Sequence, residues 1–223
     1  MNRLLLSIAL VCLTALAPAA SNAQFHMGVA PALGMNFNIH TGSDLPQSGT
    51  GFGVVFGGEA DMHFTRSIGM IARLAFYDNR SGSFTTTGTL QGVNFTVDNS
   101  ASLAYLNFEP LITIALPQSS FFFFGGPSLG FNIQGSGEST TTITTPNITF
   151  PDGTTKQTSK ASIKDLLVRF ELKLGAGYEI PIAKKISLAP QISFGFGLTQ
   201  VQSNVNWRIL TFQAIVPLVF DVM

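Results

Sequence analysis

The chain has 223 residues, 12 Lys and Arg against 12 Asp and Glu, and only 11% charged side chains, less than half the usual share. A net charge of zero with no basic stripe excludes a nucleic-acid surface. So few charges could not cover a soluble domain, whereas a wall facing lipid needs almost none.

Residues 1–23 read as a secretory leader. Asn2-Arg3 is the positive start, Leu4 to Leu16 is apolar apart from Ser7 and Thr14, and Ser21-Asn22-Ala23 supplies small residues for cleavage before Gln24. The apolar run is too short to be a transmembrane helix. The single cysteine, Cys12, falls inside it, so the remainder, 24–223, has no disulfide, thiolate metal site or cysteine nucleophile. That remainder is expected to be one domain.

The first strand is expected at Phe25 to Ile39. Phe25, Met27, Val29, Pro31, Leu33, Met35, Phe37 and Ile39 alternate with small or polar residues. A period of two means an extended strand with one apolar face. It is longer than an average globular strand and long enough to cross a bilayer at a tilt. Seven more segments follow. The second places Phe52, Val54 and Phe56 opposite Glu59, Asp61 and His63, and the third places Ile68 to Phe76 opposite Arg73 and Tyr77. The fourth runs from Leu106 to Leu116 with Tyr105, Asn107, Glu109 and Thr113 opposite, and the fifth from Phe121 to Ile133. The sixth, Leu166 to Ile180, opposes Arg169, Glu171 and Lys173. The seventh covers Ile186 to Leu198 and the eighth Leu210 to Phe220.

The links after strands two, four and six are tight: Thr65-Arg66-Ser67, Pro117 to Ser120, and Pro181 to Lys185. The others are long. This alternation predicts an all-β fold, an eight-stranded antiparallel up-and-down transmembrane β-barrel with short periplasmic turns and long outer loops. A secreted β-sandwich would also alternate, but with shorter strands and with Lys, Glu and Thr on its outward faces. Both Ser83–Asp98 and Ser139–Ser159 are rich in Thr and contain a central turn signal, Pro151-Asp152-Gly153 in the second. They are expected to be hairpins extending the wall above the membrane.

An open sheet cannot span hydrocarbon, because unpaired backbone groups are too costly there. In a closed ring of eight strands, side chains fill the interior. Glu59 and Arg73 lie equally far from their turn and should face one another. Glu109, Arg169, Glu171 and Lys173 should enter the same lumen, where charges can pair instead of facing lipid. These six form the expected lumen ion network, read as a plug that stabilises the barrel. A conducting role is the alternative.

Chemistry is sparse. His26 and His63 are expected near the periplasmic rim without metal-ligand spacing. His40, Ser43 and Asp44 share the first outer loop and are the sole candidates for an acyl-transfer site, which needs nucleophile, base and orienting group in hydrogen-bonded order. No catalytic, cofactor or metal site is assigned. Trp207 and Tyr77 near the outer rim and Tyr178 near the inner one are expected as interface anchors.

The stretch Met27-Gly28-Val29-Ala30-Pro31-Ala32-Leu33-Gly34-Met35-Asn36, with Gly51 to Glu59, a tight turn and Ile68 to Tyr77, resembles the small eight-stranded outer-membrane barrels of OmpX-like and OmpA type. More narrowly it resembles the PorT-like outer membrane protein beta-barrel domain family. The ending Phe220-Asp221-Val222-Met223 departs from the terminal aromatic of that pattern. The resemblance implies fold and outer-membrane location and carries over no functional residue. The function expected is a monomeric structural or surface-interacting barrel with a filled lumen. It would contact outer-membrane lipid and, through its loops, envelope proteins or surface ligands. A narrow channel or small-ligand carrier, or a lipid-modifying enzyme, are the alternatives.

Overall fold

The computed structural model describes residues 26–222. The leader reading and Phe25 lie outside them. Among the described residues there are eleven strands: β1 His26–Thr41, β2 Gly49–His63, β3 Ile68–Leu90, β4 Val93–Ala115, β5 Phe121–Ile143, β6 Lys156–Ser162, β7 Arg169–Tyr178, β8 Ile180–Ala183, β9 Ile186–Leu188, β10 Gln191–Gly197 and β11 Arg208–Asp221. Eight of them, β1-β2-β3-β4-β5-β7-β10-β11, form a ring that β1 and β11 close. Closure removes both edges and pairs the backbone polar groups of the wall internally.

The ring has a measurable stagger. A register row starting at Phe52 passes through Phe37, Phe212, Phe194, Leu174, Gly125, Ile112 and Met70, and returns to β2 at Met62, ten residues further on. With strand spacing of about 4.8 Å and a rise of about 3.3 Å per residue, that stagger tilts the strands by about 40°. Along the barrel axis the row then descends about 25 Å, the height of an outer-membrane apolar band. On β2 the outward residues turn apolar at Phe52, just below Thr50, so the band is taken from Phe52 at its upper edge to Met62 at its lower edge, with Leu174 at its middle. The outward residues along this band are large and apolar, including Leu33, Met35, Phe52, Ile112, Leu174, Ile192 and Phe212, all exposed.

The structure revises several expected boundaries. Two of the eight staves are interrupted: β7 is followed by β8, and β9 by β10, across the break at Ala189-Pro190. Pro190 has no N–H to donate to a ladder. Pro181, Ile182 and Ala183 are strand, not turn, and the link shrinks to Lys184-Lys185. The sixth stave begins at Arg169; Leu166 instead makes an isolated bridge to Gln202 and packs under the barrel mouth.

Both Thr-rich loops are hairpins. β3 and β4 run unbroken to a two-residue turn in which Gln91 (φ 51°) and Gly92 (φ 82°) are both left-handed, a type I′ turn that matches strand twist. β6 pairs with β5, and Gly153 (φ 79°) sits in the turn before it. There Asp152 accepts a bond from the Thr154 amide at 3.0 Å, which holds its carboxyl below the usual range. Replacing Gly92 by Val forces a branched residue into the left-handed region at a cost of about 1–2 kcal/mol. The expected result is faster amide exchange at the β3–β4 tip with unchanged unfolding of the barrel.

Candidate functional site: an ionic lumen

Interior positions alternate with lipid-facing ones, so the inward residues of each strand form layers. Eight charged side chains are buried in the lumen: Glu59, Asp78, Glu109 and Glu171 against Arg73, Arg80, Arg169 and Lys173, all at most 6% exposed. Four anions meet four cations. The six residues expected from the sequence are all inside, and Asp78 and Arg80 join them.

The lower layer centres on Arg73. Glu59 and Arg73 are register partners on β2 and β3. The Arg73 Nε donates to Glu59 Oε2 at 2.9 Å, and its guanidinium also reaches Glu109 Oε2 at 3.2 Å and the Gln191 side-chain carbonyl. Gln191 returns a bond from its amide to Glu59 at 3.1 Å. Glu109 also pairs with the Lys173 ammonium and accepts from Ser128 Oγ at 3.2 Å. Lys173 donates to Gln213 at 2.9 Å.

The upper layer centres on Asp78. Its carboxylate accepts from Asn36 at 2.8 Å, from the Arg80 Nε at 3.0 Å and from Asn107. Arg80 also meets Thr211 and Asn38. The Arg169 guanidinium lies 3.0 Å from Glu171 and 3.6 Å from Asp78, and stacks 4.7 Å over the Tyr105 ring, a cation–π contact. Three glycines make room. At Gly195 an added Cβ would come within 1.5 Å of Glu171, and at Gly175 and Gly177 within 2.3 Å of the Phe124 and Phe122 rings.

Apolar clusters lie at both ends of this network. Towards the turns sit Ile71, Leu111 and Phe124, with Phe122 against them. Towards the hairpins sit Phe84, Leu103, Tyr105, Val201, Trp207 and Ile209, roofed by Leu45, Ile163, Leu166 and Val205. Apolar side chains on either side lower the dielectric around the ion pairs and so raise the energy at stake in each of them.

Trp207 therefore points inward and is no membrane anchor. Its Nε1 donates to His40 Nδ1 at 2.9 Å. His40 Nε2 lies 2.9 Å from the Ser81 carbonyl, which can only accept. The two contacts together require the neutral ring with its proton on Nε2. His40 is thus a buried residue at the end of β1 and not part of a loop. Ser43 Oγ donates to Asp44 at 3.1 Å and accepts from Asn206 at 3.0 Å. The three candidates form no nucleophile–base relay: both His40 nitrogens are engaged elsewhere, and Ser43 and Asp44 latch the first outer loop to Asn206.

Asp78 and Arg80 were hidden by a bulge. Register shifts between Ala75 and Asp78, so Phe76 and Tyr77 both face out and the inward parity changes from odd to even. Tyr77 accordingly stacks on the lipid-facing Phe56, with centroids 5.6 Å apart, and is not opposite the apolar face. A break in alternation at Phe76-Tyr77 followed by Asp-Asn-Arg was the available signal. At the turn end, His26 and His63 are register partners with rings 6.0 Å apart. Each finds its own carboxylate, Asp221 at 2.9 Å and Asp61 at 3.4 Å. Among the described residues no group of three or more His, Cys, Asp or Glu is arranged to hold a metal ion.

Residues 19–203 match the model of the family described as Outer membrane protein beta-barrel domain. The chain belongs to that family. Its location is the bacterial outer membrane, with the hairpins on the outer side and the tight turns in the periplasm. No curated protein matches the chain. Among solved structures, this barrel is similar to the attachment invasion locus protein Ail of Yersinia pestis, with 9% identity over 87% of this chain and 98% of that one and a TM-score of 0.33. It is also similar to OprG of Pseudomonas aeruginosa, with 12% identity over 89% and 95% and a TM-score of 0.37. A third is Neisserial surface protein A, with 11% identity over 86% and 95% and a TM-score of 0.35.

Proposed function

We propose that this outer-membrane barrel is a structural, surface-interacting protein: a plugged membrane stem that carries an extended sheet above the outer leaflet. The observation that supports this reading is the lumen, where four buried anions and four buried cations neutralise one another between two apolar caps. The reading assigns the protein no enzymatic activity. Its partners would be outer-membrane lipid and molecules meeting the hairpins.

Planar-bilayer recording of the refolded barrel tests it. The expected result is a bilayer without stable unit currents; discrete, reproducible conductance steps would overturn the plug. A second reading, a narrow water-filled channel, draws support from one feature. The polar atoms of Arg169 and Glu171, the Tyr105 hydroxyl and the Gln213 amide nitrogen are buried without a hydrogen-bond partner in the protein, and such groups need water. The same recording separates the two.

A further inference from the structure

Above the apolar band, β3, β4, β5 and β6 continue as a four-stranded sheet, and its outward face has an unusual composition. Ser81, Ser102, Ser136 and Ser162 are cross-strand partners and form one row of hydroxyls. The next row is Ser83, Ser100, Glu138 and Lys160. The third is Thr85, Asp98, Thr140 and Thr158, and the fourth Thr87, Thr96, Thr142 and Lys156. Twelve of these sixteen positions carry a hydroxyl and none is apolar. The lower rows line a shallow groove of about 550 Å³. The opposite face is different, with Phe84, Ala101 and Leu103 buried against the cap.

Three properties narrow the occupant. The face is continuous with the lipid-facing wall: Phe76, Tyr77, Phe131 and Ile133 end just beneath it, so whatever stands on the acyl chains around the barrel lies against these rows. The two anions and two cations of the array balance, and Lys160 and Glu138 pair at 3.0 Å, so hydroxyls and not net charge dominate what the face offers a ligand. Hydroxyls spaced about 4.8 Å across strands and about 6.8 Å along them both donate and accept, so they complement another polyhydroxylated surface.

We infer that this face binds the saccharide headgroups of outer-leaflet glycolipid, seating the stem in the sugar layer. The inference rests on the proposed display of the sheet above the outer leaflet but not on the state of the lumen.

The test uses the full barrel with Cys12 replaced by Ser and a single Ser136→Cys, labelled with a water-sensitive fluorophore. It is refolded into phosphatidylethanolamine vesicles alone, with lipid A, or with core-bearing lipopolysaccharide. The neutral quencher acrylamide reads access. A second protein carries the label at Ser159→Cys on the opposite face. The core-bearing glycolipid is expected to lower quenching several-fold at position 136 and to leave position 159 unchanged, and Ser83→Ala with Ser100→Ala and Ser162→Ala is expected to abolish the protection. Equal quenching at position 136 in all three vesicles, equal protection of both faces, or protection that survives the triple replacement would overturn the inference. A barrel that conducts ions but shows the one-sided protection loses the plug and keeps the sugar-binding face; a silent barrel without protection does the reverse.

Discussion

Replacing Arg73 by Met is expected to destabilise the barrel by about 3–5 kcal/mol, the cost of leaving a buried charge without its partner. Among the described residues Arg73 is the one cation that touches both Glu59 and Glu109, and its loss leaves Glu59 there with only the Gln191 amide. Glu109 keeps Lys173 and should suffer less. The expected penalty is therefore concentrated in the Glu59 pair. Combining Arg73→Met with Glu59→Leu should recover most of the stability, because a buried ion pair exchanged for apolar groups of similar volume is often neutral. Urea unfolding of the refolded protein in vesicles measures both variants. A double variant as unstable as the single one would show that the pair's geometry, and not its unpaired charge, holds the wall.

Leu174→Arg is expected to cost about 2–4 kcal/mol, the penalty for a cation at the bilayer midplane on the lipid face of a barrel. Leu174 is 62% exposed and lies halfway down the register row from Phe52 to Met62, where no snorkelling side chain reaches either interface. The adjacent Lys173 on the same strand is fully buried and carries its charge in the lumen at no such cost. One step along β7 thus reverses the sign of what a positive charge does. Placing Arg at Phe52, at the upper edge of the band, should cost about 0–1 kcal/mol. Equal penalties at the two sites would contradict the stated membrane position.

Much of this was legible because a strand has a period of two. The alternation of Leu172 and Leu174 with Glu171 and Lys173 gives the two faces directly, and the symmetry about the Thr65–Ser67 turn gives the Glu59–Arg73 pair. The Thr-rich hairpins were legible too, since threonine favours strands and the turn residues stand between them. What escaped depends on contacts between distant strands. The bulge at Phe76 flips parity and moves Asp78 and Arg80 inside; its trace in the sequence is two successive aromatics before Asp-Asn-Arg, and only the register with β2 and β4 shows which side each residue takes. Trp207 looks like an interfacial anchor until its parity with Ile209 and Thr211 is followed, which places it over the lumen with His40. The interrupted staves at Glu179 and Pro190 escaped because apolar periodicity continues across both breaks. Ser43 and Asp44 stood near His40 in sequence, but their partner is Asn206, far along the chain.

The unbroken run of β3, β4 and β5 has a mechanical consequence. Each of these strands is 23 residues long, roughly 75 Å at the usual rise, and passes from the periplasmic turn to the tip without a hinge. A pull on the tip along the barrel axis loads the interstrand ladders in shear, so that many bonds resist together. A sideways pull at the β6 edge would peel them one at a time. The molecule should therefore withstand tension directed away from the cell far better than tension parallel to its surface.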